Sequence, residues 1–143
     1  MKLKMIPMVI LGGILLCLPA CSSTPEAVSV AVSCDDFMTE QNITEEILVV
    51  TGESFTVTLC SNPTTGFSWE TAVISDPDIL EQTGYEFISP ESDPPPPPGT
   101  PGEDVWTFKA LQTGTGTIDI AYSQPWEGGE KAAWTFSLTV VVK

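Results

Sequence analysis

From residue 45 onward, apolar and polar positions alternate with period two over most of the chain, the pattern of strands that bury one face and wet the other. Phe55, Val57 and Leu59 alternate with Thr56 and Thr58, Trp106, Phe108 and Ala110 with Thr107 and Lys109, and Ile118, Ile120 and Tyr122 with Thr117 and Asp119. The final run is the cleanest: Trp134, Phe136, Leu138, Val140 and Val142 stand against Thr135, Ser137 and Thr139. Phe67, Trp69 and Val73 fall on one face of a further strand, opposite Ser68 and Glu70, and residues 45–50 and 84–89 supply two more. No segment carries a sustained helical period. About seven to eight one-sided strands without crossover helices predict an all-β, immunoglobulin-like antiparallel sandwich. Residues 27–32, AVSVAV, also alternate and stand between strand and linker.

Three stretches interrupt the alternation. In SNPTTGFSW, residues 61–69, Asn62, Pro63 and Gly66 turn the chain before Phe67 and Trp69 return it to the core. The stretch 89–104 holds seven prolines and lacks the donors that a strand needs; Pro94 to Pro98 predict a polyproline rod of about 15 Å. In SQPWEGGE, residues 123–130, Pro125 and the Gly128-Gly129 pair mark a loop. Trp126 lies in it, out of phase with any strand, whereas Trp69, Trp106 and Trp134 are in phase and read as core. An aromatic on a proline-stiffened loop tip has the character of an interface anchor, with folding back over the sandwich end as its competitor. Successive connections alternate between the two ends of a sandwich, so these three loops are expected to share one end.

The N-terminus changes the domain boundaries. Lys2 and Lys4 precede an apolar run from Met5 to Leu18, too short to span a bilayer, and LPAC at 18–21 closes it. Residues 1–20 read as a secretory signal. A cysteine directly after a small residue resembles the bacterial lipoprotein lipobox, which makes Cys21 the lipidated first residue of the mature chain. Residues 21–41 are then a lipidated N-terminus and tether, with room for an edge strand, and 42–143 the folded domain. The implied location is the cell envelope, reached by secretion across the bacterial inner membrane and held at a membrane surface by lipid.

In residues 21–143 three lysines face all nineteen carboxylates, a formal charge of −16. Such a surface repels nucleic-acid backbones and excludes them as partners. Cys34 and Cys60 remain after Cys17 and Cys21 are set aside, an even pair in an oxidising compartment, and they are expected to form a disulfide. Zinc is a poor alternative without histidine or a second cysteine pair.

The chain contains no histidine and no arginine. That removes Ser-His-Asp and Cys-His nucleophiles, histidine bases and the usual transition-metal sites, so no catalytic residue, metal or cofactor is expected. The acidic pairs Asp35-Asp36 and Glu45-Glu46 read as a solvated face rather than as paired acid and base.

NPTTGFSW, GTPGEDVWTFKA and YSQPWEGG, in that order and spacing, resemble the chagasin-type inhibitors of papain-like cysteine proteases over roughly residues 42–143. The resemblance implies a monomeric, reversible, non-covalent plug whose three loops enter the active-site cleft. Asn62, Pro63, Thr64, Thr65 and Gly66 would form the central loop, with Thr64 beside the catalytic cysteine. Gly102 and its neighbours would run along one wall as extended backbone, and Pro125 and Trp126 would pack on the other. The family's third loop typically reads Arg-Pro-Trp, and Gln124 stands here in place of the arginine. An adhesion or assembly module on a bacterial lipoprotein would use the same loop end, but it gives no reason for pairing NPTTG with PW.

With no histidine, the chain has no side chain that ordinarily titrates between pH 5.5 and 8. Inhibition constants measured across that window should therefore follow the titration of the protease's own cysteine and histidine. A steep dependence against an enzyme that does not titrate there would contradict this.

Overall fold

Each period-two segment can bury only one face, and two sheets stacked face to face satisfy all of them at once. The computed structural model describes residues 27–143; the segment read as a secretory signal and Cys21 lie outside the described residues. The described residues form nine strands, a short helix and a 3-10 turn: β1 (Ser29–Val32), α1 (Cys34–Thr39), β2 (Asn42–Val49), β3 (Ser54–Ser61), the turn Pro63–Thr65, β4 (Ser68–Trp69), β5 (Val73–Ile74), β6 (Leu80–Ile88), β7 (Gly102–Ala110), β8 (Gly114–Ser123) and β9 (Trp134–Val142). One sheet runs β1-β3-β7-β6; the other runs β2-β9-β8-β4, with β5 also on β8. The predicted sandwich is present. Its core is built from the inward positions of both sheets, among them Phe55, Val57, Leu59, Phe108, Ile118, Phe136 and Leu138, all at most 1 % exposed.

Four departures from the sequence reading have local physical causes. The sandwich is not wholly antiparallel: β1 runs parallel to β3, and β2 parallel to β9. Residues 27–41 produce this by entering as β1 on one sheet and crossing through α1 to β2 on the other. The helix is the second departure, six residues being too few to establish a helical period. Its signal is a capping box: Ser33 caps the N-terminus, its hydroxyl accepting from the Asp36 N–H, while the Asp36 carboxylate accepts from the Ser33 N–H at 2.9 Å. Those bonds hold the Asp36 carboxyl below its ordinary pKa, so this cap is intact at neutral pH and is lost as acid protonates it.

Third, the strand read through Phe67, Trp69 and Val73 is broken. Trp69 pairs with Tyr122 but Val73 pairs with Asp119, so one extra residue intervenes on this side of the ladder. A one-residue slip reverses the facing, and Val73 is 63 % exposed while Trp69 is 8 %. Fourth, the proline-rich segment ends as a loop at Pro101, and Gly102 to Asp104 already belong to β7, pairing with Ser61, Cys60 and Leu59. Past the last proline every residue again has an N–H to donate.

The register places the loops. Ser61 faces Gly102, Ile88 faces Glu103, Ser68 faces Ser123, and Tyr122 faces Trp134, so the segments 62–67, 89–101 and 124–133 leave the same end of the sandwich. Helix α1 leaves there too, because β1 ends with Val32 opposite Leu59 and β2 begins with Asn42 opposite Thr135.

An aromatic layer closes the core beneath this end. Phe37 of α1, fully buried, stacks on Trp134 at 5.1 Å and packs against Trp69 at 5.2 Å. Tyr122 stacks on Trp134 at 4.9 Å and on Phe67 at 5.6 Å. Cys34 and Cys60 are joined as a disulfide that ties α1 to the last turn of β3 before the loop.

Two stability outcomes follow from α1 and its bridge. Phe37→Ala should lower the unfolding free energy by about 3–5 kcal/mol, the range for truncating a buried phenylalanine, read from denaturant melts. Cys34→Ser with Cys60→Ser should cost about 3.5 kcal/mol, the chain-entropy estimate for a sequence separation of 26. Peptide mapping without reduction that finds two free thiols would overturn the bridge.

Candidate functional site

The central loop is ordered by its first residue. Pro63 opens a 3-10 turn, where its fixed φ fits and its missing N–H is not needed, and Gly66 ends the turn at φ +83°. The Asn62 carbonyl accepts from the Thr65 N–H at 3.1 Å and from the Thr65 hydroxyl at 2.7 Å. The Asn62 side-chain oxygen accepts from the Thr64 hydroxyl at 2.6 Å. Thr64 and Thr65 are thus exposed at the tip, but neither hydroxyl is idle. Below, the Asn62 N–H donates to the buried Tyr122 hydroxyl at 2.9 Å, and Trp69 Nε1 donates to the Cys60 carbonyl at 2.9 Å.

Asn62 also reaches sideways, its amide donating to the Gly99 carbonyl at 2.9 Å. That carbonyl belongs to a turn at Pro98-Gly99, with Gly99 at φ +86° and the Thr100 N–H closing on the Pro97 carbonyl at 3.2 Å. Gly102 sits elsewhere than expected. It is buried as the first residue of β7, and a Cβ there would lie 2.4 Å from the Ile88 carbonyl oxygen and 2.7 Å from the Phe87 ring. Glycine is required by this close approach, and the exposed backbone of the loop lies at Gly99 and Pro101.

On the other flank, Trp126 is 50 % exposed and lays one ring edge over Gly66, where a Cβ would approach Cη2 to 2.9 Å. Trp126 therefore neither folds into the core nor hangs free. Its loop is closed by Gln124: the Gln124 N–H donates to the Glu130 carbonyl at 2.8 Å, and the Glu130 N–H donates to Gln124 Oε1 at 2.9 Å. The Lys131 ammonium donates to the carbonyls of Gln124 and Trp126. Pro125 is exposed beside the tryptophan. The structure thus brings Asn62, Pro63, Thr64, Thr65, Gly66, Gln124, Pro125 and Trp126 together at one end, with Gly102 beneath the surface.

Sequence reasoning missed the parts that hold the loops. Tyr122 reads as an inward strand position and nothing in its neighbours announces a bond to Asn62. Lys131 and Met38 are single residues without a motif; Ser33 and Asp36, three apart, are the one local sign of α1.

Chemistry on this surface is sparse. Among the described residues no group of three or more histidines, cysteines and acids is placed to hold a metal ion. Among the described residues the one strongly displaced titration is away from the loop tips: burial and the Asp104 carboxylate, which accepts a hydrogen bond from its hydroxyl, push Tyr85 up to about 12. The surface can bind by shape and apolar contact.

Comparisons with known proteins agree with this geometry. The chain is 28% identical over 123 residues to Amoebiasin-2 of Entamoeba histolytica, covering 86% of this chain and 92% of that protein. The crystal structure of the cysteine protease inhibitor EhICP2 from Entamoeba histolytica has a similar fold, with TM-score 0.62 and 21% identity over 83% of this chain and 99% of that one. PbICP-C, solved in complex with falcipain-2, shares the fold at TM-score 0.53 and 15% identity, over 82% of this chain and 98% of that one. The model of the chagasin family of peptidase inhibitors, I42, matches residues 49–140, and the chain belongs to that family of cysteine protease inhibitors rather than to any class of enzyme.

Proposed function

We propose that the loop end is the inhibitory surface and that it plugs the cleft of papain-like cysteine proteases reversibly and without a covalent bond. The observation that carries this is Asn62, which bonds its own turn, the underlying core and the neighbouring loop, while Trp126 seals the other flank of Gly66. A substrate is cut because it lies extended across the nucleophile. The Pro63–Thr65 turn is coiled, with its backbone held by internal bonds, so it fills a cleft without offering an extended peptide bond. Because the loop is already ordered, little conformational entropy is lost on docking, and a modest area suffices for tight binding.

Thr64 at the tip stands beside the catalytic cysteine in this reading. Trp126 and Pro125 cover an apolar patch on one wall, and the backbone at Gly99 to Pro101, rather than buried Gly102, lines the other. Gln124 serves by holding its loop closed. PbICP-C gives the reading a fold-level parallel, having been solved with falcipain-2. The assembly proposed is one inhibitor to one protease. Cys21 would carry lipid and hold the inhibitor at the envelope surface, a proposal resting on the LPAC stretch alone; metabolic labelling with a fatty acid that is abolished by Cys21→Ser would support it.

Titrated against a papain-like and a trypsin-like protease in parallel, the protein should inhibit the first competitively and reversibly, leave the second active, and itself stay intact. Steady cleavage within 62–66 would make it a slow substrate, and no inhibition at micromolar concentration would favour an adhesion module. Trp126→Ala should weaken inhibition by about 2 kcal/mol or more without unfolding, as for a buried interface aromatic. Gly66→Ala should weaken it too, through a residue forced to positive φ and a Cβ driven into Trp126.

A further inference from the structure

Helix α1 lies outside the 49–140 segment that defines the family, yet the topology delivers it to the loop end. Its buried side is accounted for by Phe37. Its outer side presents Met38, 78 % exposed, and between Met38 and the central loop lies an open apolar cavity of about 420 Å³. The walls are Met38, Cys34, Phe67 and Trp134, and the rim toward the tip is Asn62 and Thr65. A lone exposed methionine needs no explanation. An apolar cavity that shares two residues with the inhibitory loop does.

We infer that α1 is a fourth contact element of this inhibitor, and that the cavity beside Met38 receives an apolar side chain from the rim of the target protease. The inference rests on the loop end being the inhibitory surface, with which the cavity is continuous through Asn62 and Thr65. The charge around it narrows the partner. Asp35, exposed three residues before Met38, lies on the same side of α1, whereas Asp36 and Glu40 face a separate groove against Ala31 and Ile43; the one lysine of the neighbouring loop, Lys131, spends its ammonium on backbone carbonyls. The complementary protease surface therefore carries an apolar side chain beside a lysine or arginine. Methionine suits such a wall because its unbranched thioether repacks around whatever enters. The Cys34–Cys60 bridge gives the helix a fixed position relative to the loop, since Cys60 lies two residues before Asn62.

The test compares the unaltered chain, Met38→Ala, Met38→Glu and Trp126→Ala against one papain-like protease that the unaltered chain inhibits. Met38→Glu should speed dissociation at least tenfold, and Met38→Ala severalfold, with thermal midpoints unchanged because the side chain is exposed. A carbon-13 label on the Met38 methyl, assigned by its loss in Met38→Ala, should shift when the protease is added. If both Met38 variants dissociate like the unaltered chain while Trp126→Ala dissociates faster, the fourth contact is wrong and the three-loop surface stands. A Met38 methyl signal unmoved in the inhibited complex would overturn it equally. If the unaltered chain inhibits no papain-like protease, both readings fall.

Discussion

The bond from the Asn62 N–H to the Tyr122 hydroxyl is the constraint on which the loop end depends. Tyr122 is 3 % exposed and is stacked between Trp134 and Phe67, so its hydroxyl has a fixed place. A hydrogen bond in so dry a setting is stiff, and losing either partner leaves a buried polar group unsatisfied. Two residues earlier, Trp69 binds the Cys60 carbonyl. The chain therefore enters the turn through two successive anchor points, both supplied by aromatic residues whose rings belong to the core. Asn62 passes that rigidity on to Thr64, Thr65 and Gly99.

The inhibition proposed for this surface asks for stiffness and fit rather than reactivity. The residues at the tip carry no thiol, acid or base, and the chain has neither histidine nor arginine. Before Pro125 and Trp126, Gln124 turns its amide oxygen inward to the Glu130 N–H, and Lys131 supplies a cation that caps carbonyls instead of facing outward. The loop is thereby internally ordered, and its exposed apolar face is Pro125 and Trp126.

The segment before β3 contributes more than reach. β1 extends one sheet, β2 the other, and α1 between them inserts Phe37 into the aromatic layer that supports the loops. The Cys34–Cys60 bridge then joins this segment to the strand that feeds the central loop. A tether leading toward a membrane surface would in this way end in the same structure that positions the Pro63–Thr65 turn.

The strands, the two-layer architecture and the three irregular stretches were legible in the sequence because period-two alternation and the placement of proline and glycine are local properties, enforced by backbone geometry and one-sided burial. The turn at 61–66 and the odd phase of Trp126 belong to the same class. What the sequence left open depends on contacts between distant residues. The slip that exposes Val73 is set by where β8 offers its partners, and the parallel course of β1 and β2 by a helix too short to show a period. Gly102 is glycine because Phe87 and Ile88 crowd it from the next strand, a fact invisible from its own neighbours in the chain. Asn62 could be read as a turn residue from its sequence alone; that its three bonding groups would each find a different partner was decided only when folding brought Tyr122, sixty residues away, and Gly99, thirty-seven away, to its side.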